Sequence, residues 1–164
     1  MAGGFFSNKV NSAFKKAQLK SLLKKIDFQV DVDDFFRIIE ENNYTELLDI
    51  KTDKVDLKTI KSLVEAYYYL AIKQYDKSFS SSFFLIEFLV RNEYSKTSID
   101  ASKMRFSELI KWAKNRNVFT SQQYYFLMAF KETRNKLVHE LVSCSPEEAK
   151  IILTLAFNIF KKIG

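Results

Sequence analysis

One stretch of this chain gathers residue types able to move a proton and hold an anion: Phe130-Lys131-Glu132-Thr133-Arg134-Asn135-Lys136-Leu137-Val138-His139-Glu140. His139 is the only histidine in 164 residues. Imidazole, with an ordinary pKa of about 6.5, serves as base or acid near neutrality. A guanidinium offers a planar fork of donors that grips a carboxylate or phosphate in a way Lys cannot reproduce. Asn135 lies one helical turn before His139, close enough to orient it. Arg134, Asn135 and His139 are therefore the candidate catalytic residues.

The element that carries them reads as an amphipathic helix. Leu127, Phe130, Leu137 and Leu141 recur with the period of a buried stripe, and Arg134 stands in the gap of that stripe. A buried guanidinium is costly unless it is paired, so Arg134 should meet an anion or open into a cleft or interface. Glu132, Asn135 and His139 stack on an adjoining face. On an ideal helix Arg134 and His139 point about 140° apart, so one helix does not make them one site. Either the helix ends or distorts near His139, or a second copy of the chain supplies its own Arg134 and His139. The second arrangement is the expected one.

An Arg followed by a polar residue, then a His four to six positions after the Arg, late in a long helix of an all-α domain, resembles the HEPN superfamily. Here the motif is Arg134-Asn135-Lys136-Leu137-Val138-His139. It is followed by a short break, Ser143-Cys144-Ser145-Pro146-Glu147-Glu148, and an apolar closing helix. The resemblance covers residues 57–164. Residues 1–56 have no counterpart in it and are expected to form an N-terminal helical extension packing on the core. The resemblance implies a helical bundle that dimerises with its two motifs facing each other across a cleft. It also implies a metal-independent endoribonuclease of a toxin, antiviral or RNA-processing system. Some HEPN toxins carry a Tyr two positions after the His, where a nucleotide is attached; Leu141 occupies that position here.

For RNA cleavage the roles are concrete. A 2′-OH loses its proton and attacks the adjacent phosphate, charge develops on the phosphoryl oxygens, and the 5′-oxygen leaves with a proton. His139 serves as base or acid, Arg134 holds the phosphate, and Asn135 orients His139 or the phosphate. The product is a 2′,3′-cyclic phosphate, formed without metal or other cofactor. Two alternatives belong to other classes. One is a non-catalytic dimer in which Arg134 and Asn135 knit the interface, His139 caps a helix, and the basic surface binds nucleic acid or a protein. The other is a regulatory subunit that works within a complex, as an antitoxin does.

The composition fits an all-α fold. Three Gly and one Pro leave little punctuation for strands. Helices are predicted over about 8–26, with Phe14, Leu19, Leu22, Leu23 and Ile26 as the apolar face, and over 33–41, with a turn near 44–50. A long helix is predicted from Asp56 through Ile72, extending or restarting to Val90, with an irregularity at Ser78-Phe79-Ser80-Ser81-Ser82. Shorter predictions cover 107–114 and a motif helix capped by Thr120 or Ser121. Ser145-Pro146-Glu147-Glu148 reads as a capping box opening the last helix.

Charge is segregated. Residues 1–27 carry a net +5, residues 28–56 a net −6 and the remainder +7, within a total of +6. Such basic residues can steer RNA. The simpler expectation is a solvated face, or an N-terminal helix docked on the acidic segment that follows it. No apolar run approaches the ~20 residues needed to span a bilayer. The N-terminus lacks a signal-peptide pattern, and a cytoplasmic location is expected. The single Cys144 fits a reducing compartment and reads as structural. One His and one Cys do not make a metal site. Tyr67, Tyr68, Tyr69, Tyr124 and Tyr125 can stack bases, although packing is the simpler role at helical spacing, and Trp112 reads as a packing anchor.

Overall fold

In the computed structural model, residues 2–51, 55–97, 100–139 and 142–164 are described, with side chains from Ser12 onward. Every regular element among them is helical: α1 (Ala2–Lys25), α2 (Val32–Asn42), a 3-10 turn (Thr45–Asp49), α3 (Leu57–Ala71), α4 (Tyr75–Ser95), α5 (Phe106–Asn115), α6 (Ser121–His139) and α7 (Pro146–Ile163). The chain forms two compact units, Met1–Lys61 and Ser62–Gly164, divided within α3.

In the first unit, α1 packs on α2 and on the 3-10 turn. Leu19, Leu22, Leu23 and Ile26 are buried, as are Phe35, Phe36 and Ile39 of α2 and Leu47 and Leu48 of the turn. Phe14, expected on the same apolar face, instead stands 65% exposed. It lies more than a turn before Leu19, where it lines the mouth of a groove with Leu22, Leu47 and Leu48. Asp31 caps α2 by accepting from the Asp34 N–H. Lys16 pairs with Asp33, so the basic helix does meet the acidic one.

The second unit is centred on α4, which packs most extensively on α7 and also on α5 and α6. Phe79, Phe83, Leu85, Ile86, Leu109, Ile110, Leu127, Ile152 and Ala156 are fully inaccessible or nearly so. The helix break expected at Ser78–Ser82 falls instead at Ile72–Gln74, and the serines lie inside α4. Their size explains it. Ser78 and Ser82 are buried, and the Ser78 hydroxyl donates to the Ala66 carbonyl of α3 at 2.7 Å. The small Ser78 side chain thus reaches the backbone of α3, where its tendency to bond backbone is spent; the buried Ser82 hydroxyl makes no such bond among the described residues.

Helices α1, α2, α3 and α5 stop in the same way. Asp27, Asn43, Lys73 and Asn117 take left-handed backbone conformations, with φ of 53, 57, 64 and 58°. Each donates its N–H three residues back, and the next N–H reaches five back: Phe28 to Leu23, Tyr44 to Ile39, Gln74 to Tyr69 and Val118 to Ala113, at 2.9–3.0 Å. This is the Schellman stop, usually made by Gly. The chain's three glycines lie elsewhere, at Gly3, Gly4 and Gly164.

Candidate active site on the motif helix

Helix α6 begins with a reciprocal cap. The Gln123 N–H donates to the Thr120 hydroxyl at 3.1 Å, and the Thr120 N–H donates to the Gln123 side-chain carbonyl at 2.9 Å. Leu127 and Phe130 bury the helix against the unit, with the Phe130 ring edge-on to Phe79 at 5.7 Å. Leu141, the last residue of the expected stripe and the position compared with the toxin tyrosine, lies outside the described residues.

Arg134 meets its anion within the chain. Its guanidinium donates to Glu87 of α4 at 3.4 Å, with 32% of the Arg134 and 24% of the Glu87 side chain exposed. The same group lies 4.6 Å above the Phe83 ring and 5.7 Å from Phe106. Those two rings pack 4.7 Å apart. Burying the guanidinium on aromatic faces is favourable because the ring quadrupole attracts the cation. Glu87 is shared. Arg91, one turn along α4, donates two bonds to its other oxygen, at 2.9 and 3.3 Å. Arg91 is fixed in turn by the carbonyls of Ala101 and Met104 at 2.7 and 3.1 Å. A relay of contacts therefore runs from the segment before α5, through Arg91 and Glu87, to Arg134.

Sequence reasoning did not single out Glu87. Its signal was present as a lone carboxylate inside the apolar run Phe83–Val90, with an Arg four residues later on the same helical face.

Asn135 and His139 are exposed, and His139 is the last residue of α6. A cation near a helix C-terminus interacts favourably with the helix dipole, which is the plainer role for a residue so placed. The turn bearing Arg134 is pinned from the other side. The Thr133 hydroxyl donates to Glu148 at 2.9 Å. Glu148 also accepts the Ser145 N–H at 3.0 Å, completing the α7 capping box with Ser145. The Ser145 N–H above all holds the Glu148 carboxyl below its ordinary range; burial opposes it, and Thr133, the Ser145 hydroxyl and Lys136 add smaller lowering effects.

In the connection to α7, Cys144 is buried and its N–H donates to Asp76 at 2.8 Å. Burial, then the neighbouring Asp76 carboxylate, pushes the thiol up to about 12. Cys144 is a packing residue and not a thiolate nucleophile.

The fold thus gathers Arg134 with Glu87 and two phenylalanines, while Asn135 and His139 face solvent in the following turns. α6 is helical as far as His139 and ends there, the first of the two arrangements expected from the sequence, with Arg134 and His139 still on diverging faces of the helix. Among the described residues no group of three or more His, Cys, Asp or Glu could hold a metal ion, and no helix is long and apolar enough to cross a membrane. Comparison with models of known families, with curated proteins and with solved structures gives no match to this chain.

Proposed function

We propose that this chain is a metal-independent endoribonuclease of the HEPN type, a toxin or antiviral effector that works as a homodimer, with Arg134, Asn135 and His139 at its catalytic centre. The observation that carries the reading is the end of α6. A guanidinium is fixed in orientation by Glu87 and by the Phe83 ring, and exposed Asn135 and His139 follow within two turns. Such a fixed cation can stabilise charge developing on a phosphate without reorganising. Exposed imidazoles can divide the proton transfers, one taking the 2′-OH proton and the other, from a second copy, protonating the departing 5′-oxygen.

A second copy is part of the proposal because Arg134 and His139 diverge on a continuous helix. Exposed apolar side chains lie beside the motif in the chain: Val138 one turn after Arg134 and Val142 beyond His139, at 65 and 49% exposure. Covering them is a driving force for association. An antitoxin or other regulatory protein that covers the same residues would silence the site.

One observation favours a second reading. Arg134 already has a carboxylate partner in its own chain, as a purely structural arginine would. In that reading the protein is a non-catalytic dimer that binds nucleic acid or a protein. The deciding experiment incubates the purified protein with mixed tRNA and mRNA in EDTA, beside His139→Ala and Asn135→Ala variants matched in helicity and dimerisation. Cleavage by the wild type alone, leaving 2′,3′-cyclic phosphate ends, establishes the nuclease. No cleavage by any of them between pH 6 and 8 rejects it in favour of the binding module.

A further inference from the structure

At the other end of α6 lies a surface with a composition of its own. From Lys111 to Lys131 the chain carries Lys111, Lys114, Arg116 and Lys131 and not one Asp or Glu. Among the described residues none of these four cations is within ion-pair distance of a carboxylate. Two face aromatic rings instead. The Lys114 ammonium lies 4.7 Å from the Tyr124 ring centre and 5.6 Å from that of Tyr125. The Arg116 guanidinium lies 5.5 Å from Trp112, which is packed edge-on against Tyr94 at 4.9 Å. Tyr125 is 66% exposed, the most exposed large apolar side chain among the described residues. Its neighbour Tyr124 is half-buried, with the two ring centres 5.5 Å apart. Packing, the simpler sequence expectation, therefore accounts for Trp112 and not for Tyr125.

Cations left without carboxylates and a ring left open to water are the two halves of a single-strand binding surface. The charges meet phosphates, and the ring offers a face on which any base can stack. A protein surface evolved to seat a second copy of this chain would more simply pair its lysines with acids. Position reinforces the assignment. Tyr125 and His139 are fourteen residues apart on one helix. That spacing places them about 21 Å apart along the axis and within about 40° around it. Tyr124 and Asn135 likewise align within about 20°. A strand laid along this outer face, with phosphates every ~3.4 Å when stacked, would reach from Tyr125 to the motif in about six nucleotides.

We infer that Tyr125, with Lys114 and Arg116, is a stacking and phosphate platform for single-stranded RNA, holding the strand at a distance from the motif end of α6. The platform's link to cleavage rests on the nuclease reading; its binding of a strand does not. Glu132, the one acid of α6, lies on the line between Tyr125 and His139, where it opposes the phosphates.

The test is fluorescence anisotropy of a labelled fifteen-nucleotide 2′-O-methyl RNA, which lacks the attacking hydroxyl, with the full chain in EDTA from 50 to 200 mM salt. Tyr125→Ala is expected to weaken binding by about tenfold or more, Tyr125→Phe to leave it within about twofold, and Tyr125→Leu to behave like the alanine variant because it keeps apolar bulk but offers no ring. Lys114→Ala and Arg116→Ala should each flatten the dependence of log affinity on log salt by about 0.7, and Glu132→Gln should tighten binding. Duplex RNA of the same sequence should bind more weakly.

Unchanged affinity in Tyr125→Ala, full rescue by Tyr125→Leu, or duplex binding equal to single-strand binding overturns the platform. Loss of self-association in Tyr125→Ala with RNA affinity unchanged also overturns it and assigns the patch to a second copy. If the wild type proves unable to cleave RNA while the Tyr125 and salt effects appear as stated, the platform stands and only the nuclease reading fails.

Discussion

Replacing Glu87 by Gln keeps the side chain's size and removes a charge that two guanidiniums share. The Arg91 contacts are short, at 2.9 and 3.3 Å, and the Arg134 contact is longer, at 3.4 Å. A sheltered hydrogen bond to a charged group contributes about 1.5–3 kcal/mol, and a fully exposed ion pair about 0.2–1 kcal/mol. With 24% of Glu87, 28% of Arg91 and 32% of Arg134 exposed, neither pair is sheltered enough to contribute the larger amount. Solvent screening brings the Arg91 interaction to about 1 kcal/mol and the Arg134 interaction to about 0.5 kcal/mol. Glu87→Gln should therefore destabilise the second unit by about 1.5 kcal/mol, a fall in Tm of about 3–6 °C for a chain of this size. Trp112, the only tryptophan, belongs to that unit, so its fluorescence during urea or thermal unfolding reports the right transition. A double-mutant cycle separates the contributions. Glu87→Gln combined with Arg91→Gln should give a coupling near 1 kcal/mol, and with Arg134→Gln near 0.5 kcal/mol. A neutral Glu87→Gln, or a larger coupling to Arg134 than to Arg91, would show that the Glu87 carboxylate does not anchor the two guanidiniums in this order.

Two further outcomes follow from the α6–α7 connection. Ser145→Ala should cost about 1 kcal/mol through the lost helix cap. The Glu148 carboxyl is held below its ordinary value of 4.5 in the folded chain, so its contribution is present above that value and disappears as pH falls through the folded value. Glu148→Gln should thus be less stable than the wild type at neutrality and lose less stability below pH 4.5, read from urea midpoints across pH. Cys144, buried and raised to about 12, should resist a disulfide reagent at pH 8 in the native protein and react once urea unfolds it. Its contribution to stability is present below the ordinary thiol value of 9.0 and declines above it, since the unfolded chain ionises first. Rapid native labelling would contradict the buried placement.

Helix starts were legible in the sequence where a few adjacent residues make the cap. Ser145-Pro146-Glu147-Glu148 forms the predicted box, and Thr120 was one of two predicted caps for α6. The break between α3 and α4 was not legible, because Ile72-Lys73-Gln74 contains neither Gly nor Pro, while the serine run nearby advertised an irregularity that tertiary packing suppressed. The apolar face of α1 was readable from Leu19 to Ile26, but whether Phe14 is covered depends on where the partner elements end. At the candidate site, the helix, the interruption at Arg134 and the need for an anion could be read locally. The identity of that anion could not, since Glu87 lies 47 positions away in sequence. The exposure of Tyr125 was equally hidden, because helical spacing alone does not separate a packed ring from a solvated one.

The four left-handed stops carry a consequence for how the chain folds. Asp27, Asn43, Lys73 and Asn117 have side chains that make this backbone conformation unfavourable compared with Gly. Asp and Asn tolerate it better than Lys does. At Lys73, the residue of the four least suited to this conformation, little local halts the helix, and a nascent helix over residues 57–95 is free to overrun Lys73 and continue as one rod. The halt at Lys73 becomes fixed only when the flanking segments dock, so the length of α3 is an outcome of assembly and not its starting point. Where Phe28, Tyr44 and Val118 follow the stop, their partial or full burial supplies part of that docking. After Lys73 comes the exposed Gln74, which leaves the α3–α4 corner to rely on contacts such as Ser78 with Ala66. That corner is the point at which a late rearrangement from overextended helix to native turn would be concentrated.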